Sequence, residues 1–226
     1  LIAGNTIGLA ADGRAPLGNG SGGIFAVNGS RANQIGGADA GLRNVIGSNG
    51  AANSAFGQGI YLSDPGTSDN LVLGNYIGTD TSGIAPSGNL RQGLLIAAGA
   101  QHNQVGSAAP GGANVIAYNG LGGVRIDSPY NQVVGNLVGL GADGRAQLGN
   151  QANGVRVVGN NNTIGPGNTI ANNQQSGLLV LGSNTTVVSN TLEANGRSGV
   201  CVAGAGATID RNLVRGNGAS AGPWPE

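Results

Sequence analysis

Two arginines, Arg125 and Arg156, each sit at the centre of an apolar triplet that follows a glycine: Gly123-Val124-Arg125-Ile126 and Gly154-Val155-Arg156-Val157. Guanidiniums held side by side repel unless an anion intervenes, and a planar guanidinium takes a carboxylate through paired hydrogen bonds. If the fold brings the two together, the chemistry on offer is recognition of an acidic sugar. Asp127 is then the nearest competing anion, and the plain alternative is a solvated Arg–Asp pair. Tyr61, with Asp64 and Asp69, makes a second strip of the same kind.

Catalytic groups are harder to find. Glycoside hydrolysis needs two carboxylates about 5–10 Å apart, and a nucleophilic triad needs a histidine in register with an acid and a serine. His102 is the one histidine and lies in a turn; Cys201 is the one cysteine. A lone cysteine excludes an internal disulfide framework and a thiolate-rich metal site, and reads as a small apolar residue in a strand. No catalytic residue, metal ligand or cofactor is therefore assigned.

Arg125 and Arg156 can meet only if the chain returns on itself, and repeats show that it does. The phrase Val138 to Asn150 recurs at Ile7 to Asn19 and Ile77 to Asn89. Two landmarks recur more often. One is the Gly-led strand, at Gly23, Gly59, Gly93, Gly123, Gly154, Gly177 and Gly199. The other is an asparagine two residues before an apolar residue, at Asn5, Asn44, Asn75, Asn114, Asn136, Asn168, Asn190 and Asn212. The shortest Asn-to-Gly distance is 9 residues and the shortest Gly-to-Asn distance is 13, so the bare unit is 22 residues with insertions at two fixed places. Three short extended segments in such a unit leave no room for a helix, which predicts one turn of a parallel β-helix per unit. About eight coils, stacked at roughly 4.8 Å, make an all-β, single-stranded right-handed solenoid roughly 38 Å long.

Strand alternation then sends Ile24, Ile60, Leu94, Val124, Val155, Leu178 and Val200 inward. Phe25, Tyr61, Leu95, Arg125, Arg156, Leu179 and Cys201 point outward. So apolar an outer row is normally covered; the repeated phrases, as surface loops ending just before this strand, are expected to fold over it or to meet a neighbour. The recurring asparagines form a structural ladder, each amide donating to one coil and accepting from the next. Asn-Gly pairs at 49–50, 119–120, 195–196 and 217–218 are expected to give a second corner its positive φ. By this layout no two acids fall in outward rows of adjacent coils.

Composition bounds the partners. Glycine is 46 of 226 residues, charged residues are 9 % and the formal net charge is zero. With basic residues scattered, nucleic-acid binding by phosphate neutralisation is excluded, and no run approaches the roughly 18 apolar residues of a membrane span.

Gly74-Asn75-Tyr76-Ile77-Gly78-Thr79-Asp80, then Gly88-Asn89 and Gly93-Leu94-Leu95-Ile96, resemble the repeats of bacterial secreted or cell-surface proteins with the pectate-lyase-like right-handed β-helix. The resemblance implies the fold over essentially the whole chain and an extracellular or cell-surface setting. It does not choose a function, because this architecture serves lyases, hydrolases, epimerases, phage spikes and adhesins. Lyases of this fold need clustered aspartates for calcium and a basic group, which the sequence does not bring together. The leading reading is a non-catalytic extracellular structural protein that associates with copies of itself, end to end or through the apolar strand, into a fibre. The alternatives are a polysaccharide-binding or adhesin segment using Tyr61, Arg125, Asp127 and Arg156, and a fragment of a polysaccharide lyase or hydrolase. Residues 1–226 are expected to form one domain. Because Leu1 to Asn5 matches Leu71 to Asn75, it should continue from a longer helix. Pro223, Trp224 and Pro225 should stop the stack over 218–226.

Overall fold

The computed structural model describes residues 1–218; the expected proline and tryptophan stop lies outside the described residues. The chain winds through three parallel sheets in turn. Sheet 1 holds eight strands, from Thr6–Ile7 through Val45–Ile46, Tyr76–Ile77, Val115–Ile116 and Leu137–Val138 to Leu213–Arg215. Sheet 2 holds seven Gly-led strands, from Ile24–Ala26 to Val200–Val202, and sheet 3 holds seven, from Gln34–Gly36 to Thr208–Asp210. Each strand pairs with its counterparts one coil away, and a single 3-10 turn at Ala40–Leu42 is the exception to an all-β, right-handed parallel β-helix.

Period-two alternation builds the core. Ile60, Leu62, Leu94, Ile96, Val124, Ile126, Val155, Val157, Leu178 and Val180 of sheet 2 are fully buried. They meet Ile46, Ile77, Ile116, Val138 and Ile170 of sheet 1 and Ile35, Val72, Val105, Val133, Ile164 and Val187 of sheet 3 in one aliphatic cluster. β-Branched residues suit this interior, because each packs against its copy one rung away.

The corners are asparagine ladders. Between sheets 3 and 1, Asn5, Asn44, Asn75, Asn114, Asn136, Asn168, Asn190 and Asn212 join side chain to side chain, as in Asn44 Nδ2 to Asn75 Oδ1 at 2.9 Å and Asn75 Nδ2 to Asn114 Oδ1 at 3.0 Å. A second ladder, Asn19, Asn49, Asn89, Asn119, Asn150, Asn173, Asn195 and Asn217, turns sheet 1 into sheet 2. A third, Asn33, Asn70, Asn103, Asn131 and Asn162, turns sheet 2 into sheet 3.

The Asn-Gly expectation needs correcting here. At the second corner Gly50 and Gly218 have positive φ, but the left-handed turn of the uninterrupted coils falls on the residue before the asparagine: Ser48, Tyr118, Asn172 and Ala194. The same holds at the third corner, where Ala32, Asp69, His102, Tyr130 and Asn161 precede the ladder. One left-handed residue bends the chain, and the following asparagine, in place to bond both neighbouring coils, makes up for the backbone bonds lost at the bend.

Candidate functional site

The outward row of sheet 2 runs in register, Phe25 to Tyr61, Leu95, Arg125, Arg156, Leu179 and Cys201. Whether this row is open depends on where the repeated phrases go. Each forms a hairpin closed by an antiparallel bridge, Leu9 with Pro16, Thr79 with Pro86 and Leu140 with Gln147. A hairpin is two strands wide, roughly 9.6 Å, which is two rungs; that is why hairpins occur on alternate coils and still touch. Thr81 N donates to Gly13 O at 3.1 Å and Ala142 N to Gly83 O at 2.9 Å, making one ledge of three.

The ledge packs on sheet 1, contrary to the expectation that it would cover sheet 2. Leu148, Ala142 and Ala146 close over Val115, Ala117, Leu137 and Tyr76, and the Arg43 guanidinium lies 4.0 Å from the centre of the Tyr76 ring. The physical reason is that the outer face of sheet 1 is itself apolar at these rungs. Sheet 2 is left largely open. Among the described residues its local cover is the segment carrying Phe56, whose ring meets Phe25 edge-on at 5.5 Å and Tyr61 at 6.1 Å; Phe25 and Tyr61 are themselves edge-on at 5.6 Å.

The ledge has its own pH dependence. The carboxylate of Asp143 accepts the backbone N–H groups of Arg145 and Ala146 at 2.9 Å, and Asp12 holds those of Arg14 and Ala15 at 2.8 and 2.9 Å. The backbone N–H of Ala146 on Asp143, and that of Arg14 on Asp12, lower both pKa values below the usual aspartate value. A lowered folded-state pKa means that the contribution to hairpin order is complete above the unfolded value, about 3.9, and is lost as pH falls through the folded value. In an acid titration followed by amide NMR, the Arg145 and Ala146 resonances should therefore move with a midpoint below the unperturbed value of about 3.9. A midpoint at or above that value would contradict the turn geometry.

Lower on sheet 2, Arg125 and Arg156 pair in register on adjacent coils. Arg125 Nε donates to Asp127 Oδ1 at 2.8 Å, the solvated ion pair foreseen as the plain alternative. Arg156 is in no ion pair among the described residues, and its Nε is buried without a hydrogen-bond partner. The two arginines line a groove of about 180 Å³ together with Gln92, Leu121, Asn153 and Gln175. Gln92 is 7 % exposed and its Oε1 is also buried without a partner. Each such orphan costs about 1–3 kcal/mol until something pairs with it.

The groove has a structural origin. The residue before each Gly-led strand forms its own column, and it reads Gln92, Gly122 and Asn153 on three successive coils. Gly122 leaves a side chain out of the middle rung, and the gap opens between its neighbours. Asn153 is held in place, donating to Gln175 Oε1 at 3.1 Å and accepting from Ser176 N at 3.2 Å. Gln92, Asn153, Gln175 and Phe56 were not among the residues singled out from sequence; the column before the glycines was the signal available.

Other candidates are not brought together. Asp64 accepts from Asn28 N at 3.1 Å and Asp69 from Ser68 Oγ at 2.7 Å, both at corners, so neither carboxylate joins Tyr61 in a strip. His102 stacks on Tyr130 at 5.5 Å. Asp80 is buried, bonded to Ser82 and 3.9 Å from Arg14. Glu193 and Asp210 pair with Arg215 and Arg211. Among the described residues no three of His, Cys, Asp and Glu are grouped as metal ligands would be, and no helix is long and apolar enough to cross a membrane.

Residues 87–224 match the family model described as right handed beta helix region. Among solved structures, the periplasmic alginate epimerase AlgG is similar, with a TM-score of 0.59 at 15 % identity over 87 % of this chain. The chain spans 43 % of that protein, so the likeness is one of fold. No curated protein matches the sequence.

Proposed function

We propose that this chain, which belongs to the right-handed β-helix family, is a non-catalytic extracytoplasmic wall that holds an extended polysaccharide along sheet 2. The observation that carries the reading is the open outer row. Aromatic rings at Phe25 and Tyr61, flanked by Phe56, then Leu95 and the guanidiniums of Arg125 and Arg156, stand in register on rungs spaced about 4.8 Å apart. Rings offer flat apolar area at small entropic cost, and guanidiniums offer paired donors. An extended polymer can contact such a strip rung by rung, as a compact ligand cannot. The neighbour supports the setting: AlgG is a periplasmic alginate epimerase, a protein that acts on a polysaccharide outside the cytoplasm.

The non-catalytic half of the reading is supported by the acids. Among the described residues, Asp12, Asp64, Asp127 and Asp143 are each tied to a backbone amide or an arginine, and no three of His, Cys, Asp and Glu are grouped. A hydrolase needs a free carboxylate pair, and a calcium-dependent lyase a cation cluster. Release of reducing or unsaturated ends from uronate polymers would overturn this half.

Tyr61→Ala is expected to weaken glycan binding by about 1–2 kcal/mol, roughly five- to thirty-fold in Kd, measured by calorimetry against hits from a glycan array. An array with no retained glycan would remove the reading. One observation favours a second reading, self-association: beside Arg156 and on the next coil the face turns apolar, with Val158 and Leu181 each more than a third exposed. Sedimentation velocity at rising concentration separates the two, because a strictly monomeric species leaves the polysaccharide as the occupant.

A further inference from the structure

We infer that residues 51–56 are a hinged flap at the aromatic end of sheet 2: Phe56 packs against the Phe25 and Tyr61 rings and must swing away before an extended polymer can stack on them. The inference rests on the polysaccharide reading of sheet 2 and adds a regulation to it, an autoinhibitory contact made by the chain itself. Spacing gives the first observation. Bare coils pass from ladder asparagine to strand glycine in four steps, as from Asn119 to Gly123 and from Asn150 to Gly154, whereas Asn49 to Gly59 takes ten. The six extra residues are 51–56. They leave and rejoin the wall at nearly one point, because a Cβ on Gly50 would lie 2.8 Å from the Gly57 α-carbon. The two α-carbons are therefore close enough to be consecutive, at roughly 3.8 Å.

The wall does not use the flap. Gly50 N donates to Asn19 O at 2.8 Å and Arg91 N to Gly57 O at 3.0 Å, so the ladder of backbone bonds runs through both neck residues, as it does on the bare coil where Gly120 N meets Asn89 O at 2.8 Å. Gly50 and Gly57 have φ of +107° and +149°, a range open to glycine and closed to most side chains, which makes them natural pivots. Inside the flap Ser54 N bonds Ala51 O at 2.9 Å and Phe56 N bonds Ser54 Oγ at 3.1 Å, both internal. Among the described residues its hydrogen bond to the wall is Arg91 Nη2 to Ser54 O, long at 3.4 Å. The Phe56 ring therefore does most of the holding, edge-on to Phe25 at 5.5 Å and tilted 44° against Tyr61 at 6.1 Å. Contacts of this kind bias a loop without locking it. A polymer stacking on Tyr61 competes for the same apolar surface, and its apparent affinity is the intrinsic one multiplied by the fraction of molecules in the open form.

The test compares the whole chain with Phe56→Ser and with a variant lacking residues 51–56, which restores the bare coil spacing. Calorimetry uses oligosaccharides of galacturonate, mannuronate and cellulose as probes. Both variants should keep the parent's circular dichroism and thermal melting, and should bind whichever oligomer the parent binds about three- to tenfold more tightly. Adding Tyr61→Ala should cancel the gain. Weaker binding by Phe56→Ser would make Phe56 part of the platform, and unchanged binding would mean that it blocks nothing; either result overturns the flap and leaves the polysaccharide strip standing. If no oligomer binds, the polysaccharide reading falls, and the flap is judged without ligand by NMR relaxation dispersion on the aromatic rings. Opening and closing in microseconds to milliseconds should then broaden the Tyr61 ring resonances of the parent and leave those of the deletion variant sharp. No exchange in the parent, or the same exchange in the deletion variant, overturns the flap as well.

Discussion

Asn114→Ala is expected to destabilise the protein by about 3–5 kcal/mol, more than any exposed substitution, which typically stays within about 0.5 kcal/mol. Asn114 is fully buried at the middle of the first ladder. Its Oδ1 accepts both the backbone N–H of Asn75, at 2.9 Å, and the Asn75 side-chain amide, at 3.0 Å. Its own amide donates to Val72 O at 2.7 Å and to Asn136 Oδ1 at 2.9 Å. Truncation leaves the Asn75 backbone N–H without a partner in a place water does not reach, and takes one bond each from the Asn75 side-chain amide, which keeps Ile35 O, and from Val72 O, which keeps Gly106 N. Asn136 Oδ1 keeps its bond from the Asn114 backbone, at 3.2 Å, so the loss falls mainly on one side of the ladder. Thermal or urea unfolding of the variant measures the loss. Asn114→Asp separates hydrogen bonding from size: it keeps the volume and the acceptor, removes the donor and adds a buried charge, so it should be at least as damaging as alanine. A stable Asn114→Leu variant would instead mean that the corner is held by packing, and the ladder account would fail.

The fold was legible because its two periods are simple. Inward positions such as Ile60, Leu94 and Val124 are aliphatic on every coil, and Asn75, Asn114 and Asn136 keep a constant offset from the strand that follows them. Both facts survive insertions, because an insertion moves neither the wall nor the ladder. Two ladders were less visible. The residue that must turn left-handed before each asparagine is Ala32, Asp69, His102, Tyr130 or Asn161 at one corner, so no common residue type marks the bend. Stacking enforces that conformation on ordinary residues, and local propensity does not report it. The path of the hairpins was missed for a different reason. They leave the chain between sheets 1 and 2 and can fold toward either; the apolar outer residues Tyr76, Val115 and Leu137 decide it, and in strands of two residues nothing marks which side is the outer one. The pairing of Arg125 with Arg156 followed from the coil count, whereas the groove beside them depends on a missing side chain, at Gly122, that matters only once three coils are in register.

Gly78→Ala is the second change expected to be severe, with a loss of about 4 kcal/mol or more and, in a chain of marginal stability, failure to fold at 37 °C. Two effects add at this position. Gly78 has φ of +94°, where any side chain is strained by about 1–3 kcal/mol. A Cβ built there would also lie 1.9 Å from Ala117 O, with the Asn119 amide at 2.7–2.8 Å. The obstacle is backbone, so no rotamer change relieves it; the third and fourth coils would have to part. Parting them stretches the bonds that hold the rung, Ala117 N to Ile77 O at 2.9 Å and the Asn89 to Asn119 bond of the second ladder at 3.0 Å. The damage therefore spreads along the stack beyond the hairpin that begins at Gly78. Hydrogen exchange distinguishes the outcomes. If the argument is right, protection falls for Ala117 and for the strands of all three sheets on the third and fourth coils. If exchange increases only within residues 79–87, the glycine serves the hairpin alone, and the close stacking of the wall does not depend on it.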